Sequence, residues 1–390
     1  MSETEHGRLQ RWDERWRAVL VLGINVLTMG VGYYYQVYAA RCLSAGAFLA
    51  LSLWLGQVGL LGVAATFAQV RGTLVPPRIE ARSLPRTAQL VAAVGAISMH
   101  LVAPGTLPTT ALLVETVLVS VLGAYWTGVL TGRLHLLRVA GSVLLGACAR
   151  VAYAAHGSAS TPAFYEANAF AALVTLALVT LPLRTVASFA VSTTAARSWV
   201  SVLLLGTMQA GLPFAQLFAV RATAPLEGAE GLARVMVFTR APLLLGMALL
   251  NIAIAKRVRE VEEDADQPWS RRYGFELIAV GQCVLAAPVL VAIGPFAAQV
   301  LTGASLYDAR ATLLASTLDH AALLWVFASV QRDLLRGQVI RASVLLGAIT
   351  LPPLVFVLVA HVPGEVLLGG HALLCVGAAL IERVQSRSSR

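Results

Sequence analysis

Twelve long apolar stretches follow one another between Arg17 and Arg383, and they limit what this chain can fold into. A bilayer core of about 30 Å is crossed by roughly 20 apolar residues in a helix, and only helices or closed barrels satisfy the backbone there. Because 58% of the residues are hydrophobic and 13% are charged, no room remains for a soluble domain. The sequence therefore predicts an all-α, polytopic membrane protein. The predicted spans are roughly 17–39, 46–69, 85–104, 108–131, 134–156, 162–184, 197–221, 229–255, 274–301, 306–331, 336–360 and 363–383.

Arginine and lysine concentrate in alternate connections between these spans. The N-terminal arm and the stretches 71–86 and 256–272 are rich in them, whereas 103–110 and 157–163 contain none. Since cytoplasmic loops carry the excess of Lys and Arg, both termini are predicted to be cytoplasmic. The Arg- and Ala-rich composition is typical of a bacterial source, so the predicted location is the bacterial inner (plasma) membrane.

Two short sequence patterns of the first half of the chain recur in the second half. The pattern of Gln, aromatic, Ala and Arg at 36–41 recurs at 216–221, and the six residues 142–147 recur identically at 343–348. Six helices return the chain to the same side, so the two repeats would be parallel and related by a pseudo-two-fold axis along the membrane normal. The predicted organisation is a cytoplasmic amphipathic arm (1–16), an N-terminal six-helix lobe (17–184), an inter-lobe linker (185–196), a C-terminal six-helix lobe (197–383) and a cytoplasmic tail (384–390).

Three short stretches resemble a known family. Residues 38–48, 228–242 and 301–309 are similar to the turns before helices two, eight and ten of polysaccharide-biosynthesis flippases, which belong to the multidrug/oligosaccharidyl-lipid/polysaccharide exporter superfamily. The resemblance implies two helical lobes that move lipid-linked sugars or drugs by alternating access. The polar positions usual in the first helix of that family are reduced here to Asn25, Thr28 and Gln36, of which Asn25 and Gln36 are candidates for substrate binding. The acidic run 260–266 has no counterpart in that family.

In the first lobe, polar residues gather in the predicted outer halves of the third to sixth spans. Arg150 is the candidate ligand for a phosphate, because a guanidinium pairs bidentately with its oxygens. Glu115 and His100 are candidates for ion coupling. The alternative is that Arg150 pairs with Glu115 or Glu166 and only holds helices together. The other members are Tyr153, His156 and Asn168.

In the second lobe, the tenth span carries a polar stripe at steps of three or four residues that includes Asp308, Thr312, Ser316, Asp319 and His320. Asp319 is the preferred coupling residue, with His320 beside it, because a carboxylate kept from water exchanges protons near neutral pH. An interhelical hydrogen bond is the alternative role.

Arg240 precedes Pro242 inside the eighth predicted span, where an arginine cannot easily reach the membrane surface. It is predicted to bind an anionic group of the substrate, with Arg221 and Arg234 nearer the outer mouth. The alternative is an ion pair of Arg240 with Glu230 or Asp319.

Four isolated cysteines, without a CxxC pair, indicate neither a zinc site nor a disulfide framework, and no metal ligand is predicted. The chain also lacks a phosphate-binding Walker motif, a basic stripe typical of nucleic-acid binding and a large loop that could hold a catalytic centre. We therefore expect no enzyme, no nucleic-acid partner and no cofactor other than a coupling proton or sodium ion.

The favoured function is a flippase for a lipid-linked oligosaccharide or polysaccharide precursor. Its expected partners are that lipid-linked sugar or another amphiphile, the membrane lipids and, as a candidate, polysaccharide synthesis machinery. The alternatives are a multidrug antiporter of the same superfamily, a membrane-embedded enzyme, or a non-transporting scaffold of envelope polysaccharide synthesis.

Overall fold

A computed structural model describes most of the predicted spans. The described residues are 3–74, 93, 97, 106–132, 135–157, 160–181, 217, 221, 226–260, 269–303, 305–335, 340–342, 344–345 and 370–377. Throughout this part of the chain the regular structure is helical, without a β-strand. The predicted spans 85–104, 197–221 and 336–360 lie almost wholly outside it.

Eight long helices account for nearly all described residues. They are α1 (Glu3–Cys42), α2 (Ala45–Leu74), α3 (Leu107–Gly132), α4 (Leu136–His156), α5 (Thr161–Thr180), α6 (Leu226–Glu260), α7 (Trp269–Thr302) and α8 (Arg310–Leu335). A 3-10 turn, Tyr307–Ala309, leads into α8, and residues 370–377 are also helical.

Five of the described helices are long and apolar enough to cross a bilayer. These spans are Leu107–Thr131, Leu136–His156, Thr161–Thr180, Glu276–Thr302 and Tyr307–Gln331. α2 adds a shorter apolar stretch, Ala45–Gly59. The predicted class, an all-α polytopic membrane protein, is confirmed.

The chain divides into two compact units. Unit 1 comprises Met1–Gln36 and Leu61–Arg197, and unit 2 comprises Val37–Leu60 and Ser198–Arg390. Both α1 and α2 are thus divided between the units. The four boundaries between the five predicted segments stay a prediction.

In unit 1, α5 packs against both α3 and α4. The contact between α4 and α5 is close because Gly146 has no side chain. A Cβ at this position would collide with Thr175 Oγ1 and lie 3.1 Å from the carbonyl oxygen of Ala171. Small residues commonly allow such close approach between membrane helices. At the end of α5, Arg138 of α4 donates from Nη2 to the carbonyl oxygens of Leu178 and Leu181, at 3.0 and 2.8 Å.

In unit 2, α6, α7 and α8 pack against one another. α8 is far more enclosed than α7, since 78% of its apolar stretch is buried against 22% for α7. Gln282 of α7 donates from Nε2 to the carbonyl oxygen of Pro242 at 2.6 Å, which ties α7 to α6 beside the proline. α7 ends before Gly303, whose φ of 71° is readily adopted only by a residue without a Cβ. The central position of α8 determines where the polar groups of unit 2 are buried.

Candidate functional site

Arg150 is the centre of a polar cluster in unit 1, formed with Tyr35 of α1 and Asn168 of α5. The guanidinium carbon of Arg150 lies 4.5 Å from the centroid of the Tyr35 ring, which is a cation–π contact. Arg150 also donates from Nη1 to Oδ1 of Asn168 at 3.4 Å. We call these three residues the arginine cluster.

The ring under the guanidinium is held in place by short hydrogen bonds. Tyr35 is completely buried, and its hydroxyl donates to the carbonyl oxygen of Phe164 at 2.6 Å. Asn168 donates from Nδ2 to the Tyr35 hydroxyl and to the same carbonyl oxygen, both at 2.7 Å. The Tyr35 and Phe164 rings also pack at a centroid distance of 5.7 Å. Since Asn168 contacts both Tyr35 and Arg150, it fixes the ring and the cation together.

Gly32 leaves the space that the guanidinium occupies. A Cβ at residue 32 would lie 3.1 Å from Nη2 of Arg150, which is tighter than an ordinary van der Waals contact. Gly32 precedes Tyr35 by about one helical turn, so both residues can face the same neighbour. α1 therefore presents to Arg150 a glycine with the tyrosine ring beside it.

Arg150 has no carboxylate partner among the described residues. Glu166, one predicted alternative partner, instead accepts a hydrogen bond from the Tyr153 hydroxyl at 3.0 Å. Glu115, the other, is exposed on α3. The Nε atom of Arg150 is buried and makes no hydrogen bond within the described part of the chain. Within the described residues, the positive charge of the cluster is contacted by an aromatic ring and an amide.

The other predicted residues of the first lobe do not join this cluster. Asn25 is exposed and Gln36 half-buried on α1, and within the described residues neither is hydrogen-bonded to Arg150. His100 lies outside the described residues. The substrate role of Asn25 and Gln36, and the coupling role of Glu115 and His100, stay predictions.

A second polar cluster lies in unit 2, around Asp319 in the middle of α8. Oδ1 of Asp319 is 2.6 Å from Nδ1 of His371, and Nε2 of His371 is 3.8 Å from Sγ of Cys375. Asp319 and Cys375 are completely buried and His371 is 8% exposed. We call these residues the aspartate cluster.

His320, next to Asp319 in sequence, makes different contacts. Its Nδ1 lies 2.9 Å from the carbonyl oxygen of Thr239 on α6, and the Thr239 hydroxyl is 2.9 Å from the Ser316 hydroxyl. Successive residues of a helix point about 100° apart, so the two side chains reach different neighbours. Asp319 thus contacts the 370–377 helix, and His320 contacts α6.

The three predicted arginines of the second lobe differ in environment. Arg240 is buried on α6, where its Nη2 lies 3.9 Å from Sδ of Met236. Arg234 is half-buried on the same helix, and Arg221 is exposed. Their predicted role in binding an anionic substrate stays a prediction, as does coupling through Asp319 and His320.

An apolar cavity of about 600 Å³ lies between α7, α8 and the 370–377 helix. Its wall includes Val284, Leu318 and Leu373, and none of the described residues that line it is charged. Such a wall offers nothing to balance the charge of an anionic head group. In unit 1, by contrast, the arginine cluster offers a cation.

Sequence reasoning missed two kinds of contact at these sites. Tyr35 carried no signal of its own, because its partners lie 129 and 133 residues further along the chain. His371 and Cys375 did carry one, since residues four apart on a helix share a face. The absence of a CxxC pair carries no information about this contact.

The fold occurs among solved transporters. No family model matches the chain, and no curated protein matches it. An inward-facing multidrug resistance MATE family transporter of the MOP superfamily is similar, with a TM-score of 0.60 and 14% identity over 95% of this chain and 98% of that one. A MATE structure in the straight conformation has a TM-score of 0.60 at 12% identity, covering 95% and 94%. A MOP superfamily transporter from Pyrococcus furiosus has 0.58 at 14%, also covering 95% and 94%.

These likenesses define the fold of the chain as that of MATE transporters. The fold is the one that the sequence resemblance implied, since these structures belong to the same superfamily. A shared fold does not test the narrower prediction that the protein is a polysaccharide flippase.

Proposed function

We propose that this protein is an alternating-access transporter that carries an amphiphilic anion across the membrane and binds its anionic group at Arg150. The observation that carries the proposal is the arginine cluster, in which a guanidinium has no carboxylate partner among the described residues. The preferred substrate is a lipid-linked oligosaccharide or polysaccharide precursor, whose phosphate groups supply the anion.

The energetic reason is the cost of an unbalanced charge in the membrane. An arginine at the centre of a transmembrane helix costs at least about 2.5 to 3.5 kcal/mol on insertion scales. The contact with the Tyr35 ring returns roughly 0.5 to 2 kcal/mol of this. A phosphate pairing bidentately with the guanidinium would offset part of what remains. Binding of an anion at Arg150 would therefore lower the free energy of the charged site.

The preorganisation of the Arg150 guanidinium also supports anion binding at this site. Tyr35 and Asn168 hold the guanidinium before a substrate arrives, so little side-chain entropy remains to be lost on binding. A purely structural arginine of this chain has different partners. Arg138 donates to two backbone carbonyls at the end of α5, where a cation is commonly stabilising.

Transport is supported by the structures that share the fold. They include multidrug resistance transporters in inward-facing and outward-facing conformations. The Pyrococcus furiosus protein is described as having a binding pocket of reverse polarity that suggests a different function. Pocket charge thus differs between proteins of this fold, and in this chain Arg150 favours an anion.

A multidrug transporter is the second candidate, because several structures of this fold are multidrug transporters. Many such drugs are organic cations, and an arginine repels them. The two candidates therefore differ in the sign of the substrate charge. For either one, we propose the bacterial inner membrane, with both termini in the cytoplasm, as the location.

The test is transport by the purified protein in proteoliposomes. One set of vesicles contains a fluorescent undecaprenyl-diphosphate sugar, and flipping is measured by quenching from outside. A second set measures uptake of the cation ethidium. We expect flipping of the anionic lipid and little ethidium uptake, with flipping lost in Arg150→Ala. Ethidium uptake without flipping would favour the multidrug candidate and overturn the proposal.

A further inference from the structure

The apolar cavity of unit 2 opens at an apolar surface. Two of the residues at its rim are exposed, Val284 of α7 by 46% and Leu373 of the 370–377 helix by 75%. Its floor includes two small side chains of α8 that are buried, Ala321 and Ala322. We propose that this cavity binds one acyl chain of a bilayer phospholipid as a structural lipid.

The surface around the rim is the kind that lipid chains cover. Val284 adjoins a row of exposed apolar side chains along α7, which includes Leu285, Val289 and Ile293. This row lies inside Glu276–Thr302, a stretch long and apolar enough to cross a bilayer. Exposed apolar side chains at that depth contact the hydrocarbon core of the membrane. The cavity is therefore continuous with a lipid-facing surface.

The shape of the cavity suits a long, narrow ligand. Residues at steps of three or four positions share one face of a helix, and on α8 such a stripe lines the cavity. The stripe consists of Ala315, Leu318, Ala322 and Trp325. At a rise of 1.5 Å per residue it extends for roughly 15 Å along the helix. Because two of its four side chains are alanines, the stripe leaves a slot along its length that a hydrocarbon chain can occupy.

The chemistry of the wall selects hydrocarbon over water. An ordered water molecule needs two to four polar partners, whereas the described residues that line the cavity are alanine, valine, leucine and tryptophan. An unfilled cavity forfeits the dispersion contacts of the atoms that line it. Since lipid tails are as apolar as leucine, a chain that enters gains these packing contacts rather than a hydrophobic driving force. We therefore expect binding to depend on the fit of the chain.

A bound chain would support the helix contact that the aspartate cluster makes. Leu318 of the cavity wall precedes Asp319 on α8, and Ala372 of the wall follows His371 on the 370–377 helix. The Asp319–His371 contact joins these two helices away from the lipid, and the acyl chain would pack against both of them from the lipid side. This role does not depend on what the transporter carries, and it uses no residue of the arginine cluster.

Trp325 provides a fluorescent probe because its side chain lines the cavity. The full-length protein in detergent is titrated with a phosphatidylcholine that carries a brominated acyl chain, since bromine quenches tryptophan fluorescence at close range. Trp325→Phe is titrated in parallel, so that the difference isolates the Trp325 signal from that of the other tryptophans. Ala315→Phe fills the cavity. Ala311→Phe is its matched control, because Ala311 is exposed on the same helix and is not among the described residues that line the cavity.

We expect quenching of the Trp325 signal that saturates at about one lipid per protein, the same curve for Ala311→Phe, and loss of most of this quenching in Ala315→Phe. The proposal is overturned if the Trp325 signal shows no saturable quenching, a result that needs no cavity-filling variant to fold. Equal quenching in Ala315→Phe and Ala311→Phe also overturns it.

Competition by unlabelled lipids identifies the occupant. We expect phosphatidylcholine to displace the brominated lipid at least as well as undecaprenyl phosphate does. Displacement by undecaprenyl phosphate at the lower concentration would assign the cavity to a polyprenyl chain and overturn the proposal. Because no step of this experiment measures transport, its outcome is separate from that of the flipping assay.

Discussion

The contact between Tyr35 and Arg150 can be measured as a coupling free energy. The perturbation is a double-mutant cycle that combines Tyr35→Leu, which removes the ring, with Arg150→Met, which removes the charge but keeps a long side chain. A cation over an aromatic ring is worth roughly 0.5 to 2 kcal/mol, the upper end applying away from water. Because the ring lies 4.5 Å from the guanidinium and is completely buried, we expect a coupling of about 1 to 2 kcal/mol.

A second cycle with Tyr35→Phe separates the ring from the hydroxyl. This substitution removes the hydrogen bonds to Phe164 and Asn168 but keeps the ring under Arg150. Side-chain hydrogen bonds in membrane bundles average about 0.6 kcal/mol and reach about 1.7, so Tyr35→Phe should cost about 1 kcal/mol of unfolding free energy. Its coupling to Arg150→Met should be smaller than that of Tyr35→Leu, because the hydroxyl reaches Arg150 only through Asn168.

Both cycles use equilibrium unfolding in mixed detergent micelles, followed by circular dichroism. Distant, independent sites add within about 0.3 to 0.5 kcal/mol. A Tyr35→Leu coupling inside that range would refute the cation–π contact. An equally large coupling for Tyr35→Phe would assign the interaction to the hydroxyl instead of the ring.

Two glycine substitutions have matched controls on the same helix. Gly32→Val should push the guanidinium off the Tyr35 ring and raise KM for lipid-linked sugar flipping. Gly30→Val is the control and should leave KM unchanged, because nothing lies within 4 Å of its Cβ position. Equal KM values in the two variants would contradict this prediction. Gly146→Val should destabilise the protein by about 1 to 3 kcal/mol because it overpacks the contact with Thr175, measured by detergent unfolding. Gly141→Val, which also has nothing within 4 Å, is its control, and equal losses in the two variants would refute close packing at 146.

The helices were largely predictable because membrane spans are set by a local property, the length of an apolar run. The predicted span 134–156 corresponds to Leu136–His156, and the predicted span 108–131 to Leu107–Gly132. α6 extends beyond the predicted span 229–255, reaching Leu226 and Glu260. A helix continues past the bilayer without changing its apolar window, so hydropathy locates the crossing better than the helix end.

The partners of the polar residues were not predictable in the same way. Arg150 and Asp319 were singled out because charge inside a span is costly, and this reasoning is also local. Which group meets each charge depends on helix packing, and the contacts Tyr35–Asn168 and Asp319–His371 join residues 133 and 52 positions apart. Periodicity along one helix carries no information on such pairs. The alternative prediction, an ion pair of Arg150 with Glu166, rested on such local reasoning. In the structure Glu166 contacts Tyr153 instead.

The most direct test of the account is the rate of undecaprenyl-diphosphate sugar flipping in proteoliposomes for Arg150→Ala, Arg150→Lys and Arg138→Ala, each normalised to the amount of folded protein. Arg138 is the matched control, a second arginine of α4 whose partners are backbone carbonyls of α5. We predict that Arg150→Ala abolishes flipping, that Arg150→Lys keeps a reduced rate because the charge remains without the bidentate fork, and that Arg138→Ala flips at the wild-type rate. Flipping by Arg150→Ala at the wild-type rate would contradict anion binding at this site.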